Sequence, residues 1–542
     1  VPSLRVADWR LLLDPPMEAR YGRLVVLGGS AGLAEHFAAL GLADAVSTAL
    51  PDDRTANVVV ALPPARPTAA ALAAALAPDG QLYLEVDRRA AGARRDAATR
   101  LCRRLHDAGL SITGAYATLP PDPEAPRRYV PLDRPRAAQW YFRHTYRPLS
   151  PAQRITAAGA GLLARAGILM RLAPSFAITA RVSGDDPPPL SGPLHGRLPT
   201  HGAASRARPI VFAEGGDRVV LLPFGPDDAE PRGVLKVPRL PTFHERTQRE
   251  VACVRELRAA LPAELSRAIP EPIELTTVAG TPVAVERVAP GRSLLASSGS
   301  WGAGRRARAD DLRLAMTWLA RFHATTELRR PAWGDAEREA WVELPIERYA
   351  AQFGVTPAEA RLFDAARRYA DTLAGEPMPI VRQHGDFAVW NLARRGSELF
   401  VLDWEGASPG PVLCDALHLV TSWDLALRRA RDAAEELRSF DALLRGVVTA
   451  GRDGDAYHRV ARAALDDYRE RVGCGERLVP ILLCYHRLEL ALRRATQQRD
   501  ARALGADARA GNRPVAHVAL LATHAGALFG EAPSTRVAAV AR

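Results

Sequence analysis

Apolar positions along the chain fall into two regimes. The first third carries short continuous apolar runs, Leu24 to Leu27, Val58 to Leu62 and Leu82 to Val86, each bounded by Gly, Pro or Asp and separated by Ala-rich stretches. Runs of this kind are strands buried on both faces between helices, so they predict βαβ units feeding a parallel sheet. Prolines crowd the stretch from Ala115 to Pro135, which predicts a loop, and a mostly helical segment follows to about Leu172. Pro187, Pro188, Pro189, Pro193 and Pro199, set among Gly and Ser between Asp185 and Arg206, read as an interdomain linker.

After that linker the pattern changes to strands joined by tight turns: Pro209 to Ala213, Val219 to Phe224 and Val234 to Val237. A helix from about His244 to Leu261 and further strands near Pro272 to Thr277 and Val283 to Val288 complete a small strand-rich lobe. From Asp310 onward helical periodicity dominates, broken by one short hairpin around Gly396. The expected organisation is a domain at 1–184, a linker at 185–206, a strand-rich lobe at 207–290 and a mainly helical lobe at 291–542.

Composition narrows this picture. With 47% hydrophobic and 25% charged residues the chain has globular character, and 542 residues are too many for one ordinary core. The formal charge of +11 is carried almost wholly by Arg, scattered along helices. No aromatic-interleaved basic patch or finger spacing appears, so no nucleic-acid partner is expected. The five cysteines are far apart with no C-x-x-C pair, which suggests neither a zinc site nor a disulfide framework. The stretches Gly161 to Met170 and Val515 to Phe529 are too short or too interrupted to span a bilayer, and no signal-peptide pattern opens the chain; a cytoplasmic protein without a membrane span is expected.

The strongest chemical signal is His384-Gly385-Asp386-Phe387-Ala388-Val389-Trp390-Asn391, then the hairpin Leu392 to Leu402, then Asp403-Trp404-Glu405. Phosphoryl transfer needs a carboxylate that takes the proton of the attacking hydroxyl and oxygen ligands that hold Mg2+ against the phosphates. Asp386 and Asn391 have the Asp-x-x-x-x-Asn spacing of a protein-kinase catalytic loop, and Asp403 stands where the metal-binding Asp would follow. Over residues 205 to 530 the chain resembles the aminoglycoside phosphotransferase and choline kinase family, in members whose loop reads H-G-D-F-x-P-W-N, with Val389 here in place of Pro. The resemblance implies an α+β bilobal protein-kinase-like fold, ATP and Mg2+ as cofactors, Asp386 as the base, and Asn391 and Asp403 on the metal. It makes Asp415 the structural anchor of the loop and Lys236 the lysine on the phosphates. Lys236's partner would be Glu250, chosen over Glu245 and Glu256 because it precedes an apolar face of Val251, Val254 and Leu257. Gly215 and Gly216, in the turn Glu214 to Asp217, would cover the phosphates, and Glu286 and Val288 lie in the hinge expected to meet adenine. The acceptor would be a small molecule or saccharide gripped by the helical lobe, with Asp424, Asp441, Asp466 and Asp467 as candidate contacts.

Residues 20 to 180 show a different resemblance. Leu24 to Gly32 is a strand running into a Gly-rich turn, and with the runs Ala56 to Leu62 and Pro78 to Val86 it resembles class I S-adenosylmethionine-dependent methyltransferases. This implies an α/β Rossmann-like N-terminal domain. The departures argue against a working donor site: Val26 replaces the expected acid, Ser30 the middle Gly, and Asn57 a common Asp. Only about 25 residues separate Gly32 from Asn57, too few for the usual strands and the ribose-binding acid, although Asp44, Asp52 or Asp53 stand nearby. The leading expectation is therefore a degenerate Rossmann-like domain followed by a small-molecule kinase. The alternatives are a bifunctional methyltransferase-kinase acting on a glycan or natural product, and a regulatory pseudokinase.

Overall fold

A computed structural model of the chain describes residues 4–13, 20–87, 97–119, 127–165, 173, 175–182, 207–213, 217–278, 280–430, 432–448, 454–503 and 513–530. The expected linker at 185–206 and the candidate residues Gly215 and Gly216 lie outside these.

The apolar runs do form strands. In order along the chain they are β1 (Tyr21–Leu27), β2 (Ala43–Ser47), β3 (Ala56–Ala61), β4 (Leu76–Asp87), β5 (Leu110–Leu119), β6 (Arg127–Pro131), β7 (Ser175–Val182), β8 (Arg208–Ala213), β9 (Arg218–Phe224), β10 (Val234–Pro238), β11 (Pro272–Val278) and β12 (Thr281–Glu286). β2, β1, β3 and β4 are parallel neighbours in that order, as βαβ units demand. Beyond β4 the sheet is mixed: β7 pairs antiparallel with both β4 and β5, so that β5 runs in the direction of β4, and β5 pairs antiparallel with β6.

One expectation needs correction at this point. The proline-crowded stretch from Ala115 to Pro135 is partly strand, since β5 reaches Leu119 and β6 spans Arg127–Pro131. Pro131 sits at the end of β6, where a missing N–H costs the ladder little. The short interval between Gly32 and Asn57 holds the single strand β2, on the outer edge of the sheet, in keeping with an interval too short for more.

The sheet does not end with the N-terminal region. β6 pairs antiparallel with β8, Arg127 opposite Ala213 and Tyr129 opposite Val211. The order then continues β9, β10, β12, β11, giving a single 12-stranded sheet. One face carries a shared apolar core, in which Trp9, Tyr21, Tyr83 and Tyr129 join Val211, Val219, Leu235 and Val283. Asp8 forms a buried ion pair with Arg239. The N-terminal region is thus one flank of the sheet that the strand-rich lobe completes, and a separate Rossmann-like domain is not confirmed.

The same region also reaches the helical lobe. Arg147 donates from Nε to the Gly299 carbonyl at 3.2 Å and from its terminal nitrogen to the Ala426 carbonyl at 2.8 Å, while the Trp301 amide donates to Pro148 at 2.8 Å. That lobe has its own core around the helices Arg305–Thr325, Pro357–Asp371, Cys414–Arg428 and Val479–Ala503. Among the described residues no helix is long and apolar enough to cross a membrane.

Candidate active site

The loop His384–Asn391 follows the strand Ile380–Gln383, and the hairpin strands Leu392–Arg395 and Glu398–Val401 lead from it to Asp403. Gly385 has φ +84, and a Cβ there would lie 2.3 Å from the Gly406 carbonyl oxygen, so only glycine allows this close approach. Asp415 at the start of the helix Cys414–Arg428 accepts from the amides of His384 and Gly385 at 2.7 and 3.0 Å, which anchors the loop. His384 Nε2 bonds the Leu402 carbonyl at 2.9 Å and ties the loop to the residue before Asp403.

Asp386 is held by side chains behind it and remains open in front. Its Oδ1 lies 2.8 Å from His418 Nε2; its Oδ2 accepts from Asn391 Nδ2 at 2.8 Å and from the Trp390 indole at 3.3 Å. The side chain keeps 42% of its surface exposed. Burial would raise its pKa, but the hydrogen bond and charge of His418, then His384 and Trp390, hold the carboxyl well below the usual range, so it is ionised at neutral pH.

Across from this loop stands a second, buried group of charges. Lys236 on β10 is the only lysine in the chain. Its Nζ lies 2.5 Å from Glu250 Oε1 and 2.9 Å from Glu286 Oε1. Where every other basic side chain is Arg, a lone lysine at this place points to a role for a compact ammonium that a planar guanidinium does not fill. Glu250, from the helix His244–Ala260, also bonds Arg218 at 2.5 Å and accepts from the Trp404 amide at 3.3 Å. Against the cost of burial, those two cations pull its pKa down to about 2. Glu286 shares only Lys236, and its pKa is pushed up by burial. Glu245 and Glu256 instead approach the surface arginines Arg249 and Arg382.

The side chain of Glu286 is therefore engaged with Lys236 inside the lobe, and only its backbone belongs to the hinge. The amide and carbonyl of Val288 make no backbone hydrogen bond among the described residues, whereas the neighbouring Arg287 amide is used by Glu271. A base edge could pair with Val288.

Arg218, the first residue of β9, has no counterpart in the sequence expectations. It donates to Glu250, to Asp403 and, at 3.2 Å, to Glu405, and is only 9% exposed. The Glu405 carboxyl, in spite of Arg218, is pushed up to about 8 by burial and by Asp403 and Asp217. His418 was equally unforeseen. The only cue to Arg218 is its place beside a glycine turn; His418 comes to Asp386 by helix docking alone.

The donors suit Mg2+. Asn391 spends its side-chain Nδ2 on Asp386, and its side-chain Oδ1 carries no hydrogen bond among the described residues; the same holds for one oxygen of Asp403, while the Asn391 backbone carbonyl is taken up separately. Leu402 donates to the Asn391 carbonyl at 2.8 Å, which keeps the two donors together. No cluster of three or more His, Cys, Asp or Glu that could hold a metal exists among the described residues.

The four acids considered as acceptor contacts are neutralised locally. Asp424 is buried with Arg428 and Ser439, Asp441 pairs with Arg445 and His524, and Asp466 and Asp467 pair with Arg469 and Arg471. In the N-terminal region the residues of the expected donor site are also committed to structure. Gly28 has φ +74, and a Cβ there would lie 2.1 Å from the Leu62 carbonyl oxygen, so the turn closes onto its neighbouring strand. Asn57 accepts from the Arg23 amide at 2.7 Å, and Asp44 pairs with Arg20.

Comparison with known proteins adds to this geometry. Macrolide 2'-phosphotransferase MphH from Brachybacterium faecium is similar at 20% identity, with 60% of this chain and 95% of that one covered and a TM-score of 0.36. Choline kinase LicA from Streptococcus pneumoniae is similar at 13% identity, covering 57% and 89%, with a TM-score of 0.33. No curated protein matches the chain. The methyltransferase-like expectation for residues 20 to 180 finds no support in these comparisons. Residues 225–461, which contain Lys236, Glu250, Asp386, Asn391 and Asp403, match the Phosphotransferase enzyme family.

Proposed function

We propose that the C-terminal part, from about residue 207, is an ATP- and Mg2+-dependent kinase of small molecules or saccharides. The observation that carries this reading is Asp386, an ionised carboxylate held from behind by His418 and Asn391 and open in front. A hydroxyl that reaches within about 2.6 to 3.2 Å of it can pass its proton there as its oxygen bonds to phosphorus. Bound ATP and Mg2+ supply the phosphoryl group and neutralise its charge. Lys236, kept charged and aligned by Glu250 and Glu286, is the residue for the phosphates, and Asn391 and Asp403 are those for the metal. Val288 serves the base. The local pairing of the helical lobe's acids favours an uncharged, hydroxyl-rich acceptor over a polycation.

Two experiments test this. Incubation with ATP, Mg2+ and a panel of hydroxylated metabolites and saccharides should add one phosphoryl group to at least one of them, read by mass spectrometry. An amine-reactive acyl phosphate of ATP should label Lys236, the sole lysine, and excess ATP should protect it. Labelling that ATP does not suppress, with no acceptor phosphorylated, ends the proposal.

A further inference from the structure

Four carboxylates, those of Glu250, Glu286, Asp403 and Glu405, meet two cations, Lys236 and Arg218. Lys236 serves the first pair. Arg218 reaches across from the strand-rich lobe to the second pair, and a single terminal nitrogen donates to both Asp403 and Glu405 while the other holds Glu250 at 2.5 Å. This nitrogen occupies Asp403 Oδ1, and a divalent cation held by the same carboxylate through its remaining oxygen would be repelled by it.

We infer that Arg218 is a resident counter-ion of Asp403 that competes with the divalent cation: in the absence of metal Arg218 neutralises the carboxylate, and its charge on Oδ1 weakens the hold of Asp403 on a metal taken through either oxygen. The inference rests on the reading of Asp403 as the metal carboxylate. Its consequence is coupling. A nucleotide phosphate adds the negative charge that offsets the two neighbouring cations, so metal alone binds weakly and metal with nucleotide binds well.

The test is Mn2+ binding to the full chain without nucleotide, followed by electron paramagnetic resonance of the free ion. Arg218→Met, which keeps much of the stem and removes the charge, should bind Mn2+ at least tenfold more tightly than the parent. Arg218→Lys, whose shorter point charge cannot bridge Glu250 and Asp403 together, should show a smaller gain of the same sign and serves if the Met variant does not fold. In an Asp403→Ala background the gain should vanish, whereas a general loss of positive charge would preserve it. Unchanged or weaker Mn2+ binding by both Arg218 variants, or a gain that survives in Asp403→Ala, overturns the competition. If Asp403→Ala alone leaves Mn2+ binding untouched, the assignment of Asp403 to the metal has failed and the inference falls with it.

Discussion

Asp386 and Asp403 are carboxylates of one short stretch of chain, joined by a hairpin, yet their surroundings are opposite. Asp386 is held by an imidazole, an amide and an indole, with one face exposed. Asp403 belongs to an ionic cluster with Arg218 and Glu405 that continues through Glu250 to Lys236 and Glu286. The difference is one of compensation. Hydrogen bonds fix Asp386 and leave one face of its carboxylate open. Asp403 is already paired with Arg218 through one of its oxygens.

That contrast can be broken in order of expected effect. Asp386→Asn keeps the shape but removes the proton acceptor, and kcat on the true acceptor should fall by about 10² to 10⁴-fold with nucleotide binding retained. A near-normal kcat would remove Asp386 from the chemistry. Glu250→Gln leaves Lys236 and Arg218 buried with less compensation and should destabilise the fold by about 3 kcal/mol in denaturant unfolding, a loss that would not follow if the cluster were a weak surface network.

A smaller effect depends on pH. The folded-state pKa of Glu250 is depressed from the ordinary carboxylate range to about 2. Its contribution to stability is therefore present above the unfolded value and lost as pH falls through about 2. The stability gap between the parent and Glu250→Gln should narrow from pH 7 to pH 3, and a constant gap would show that the pair does not carry this charge.

The smallest concerns the strap from the N-terminal region. Arg147→Met removes two hydrogen bonds to backbone carbonyls of the helical lobe and should cost about 1.5 kcal/mol in thermal unfolding of the whole chain. Two separate transitions in the parent, with only one of them moved, would mean that the N-terminal flank is not part of the same cooperative unit.

How far the sequence could be read follows from how far apart the interacting residues lie. Asp386, Asn391 and Asp403 are spaced along one loop and one hairpin, so their pattern is visible in a single stretch. Lys236 and Glu250 are a strand residue and a residue of the next helix, still close enough for an apolar face to select among three glutamates. Arg218 and His418 meet these residues over intervals of 185 and 32 positions respectively, and no local pattern marks them. The glycine turn at Gly28 suggested a bound cofactor, but a glycine required by a ligand and one required by a neighbouring strand look alike until the Leu62 carbonyl is in place.

By itself the sequence determined the elements that local patterning dictates: the apolar runs of β1, β3 and β4, the strand-rich lobe, the helical lobe and the Asp386–Asp403 motif. It also determined that one lysine stands alone among arginines. Only the tertiary structure decided that β6 joins β8 and makes one sheet of two expected domains, because an edge strand's open N–H and C=O groups accept any partner that presents a matching edge. It alone decided which charges share the buried cluster. Burial makes each charge costly unless a partner is present, and that partner is supplied by folding from wherever in the chain it lies.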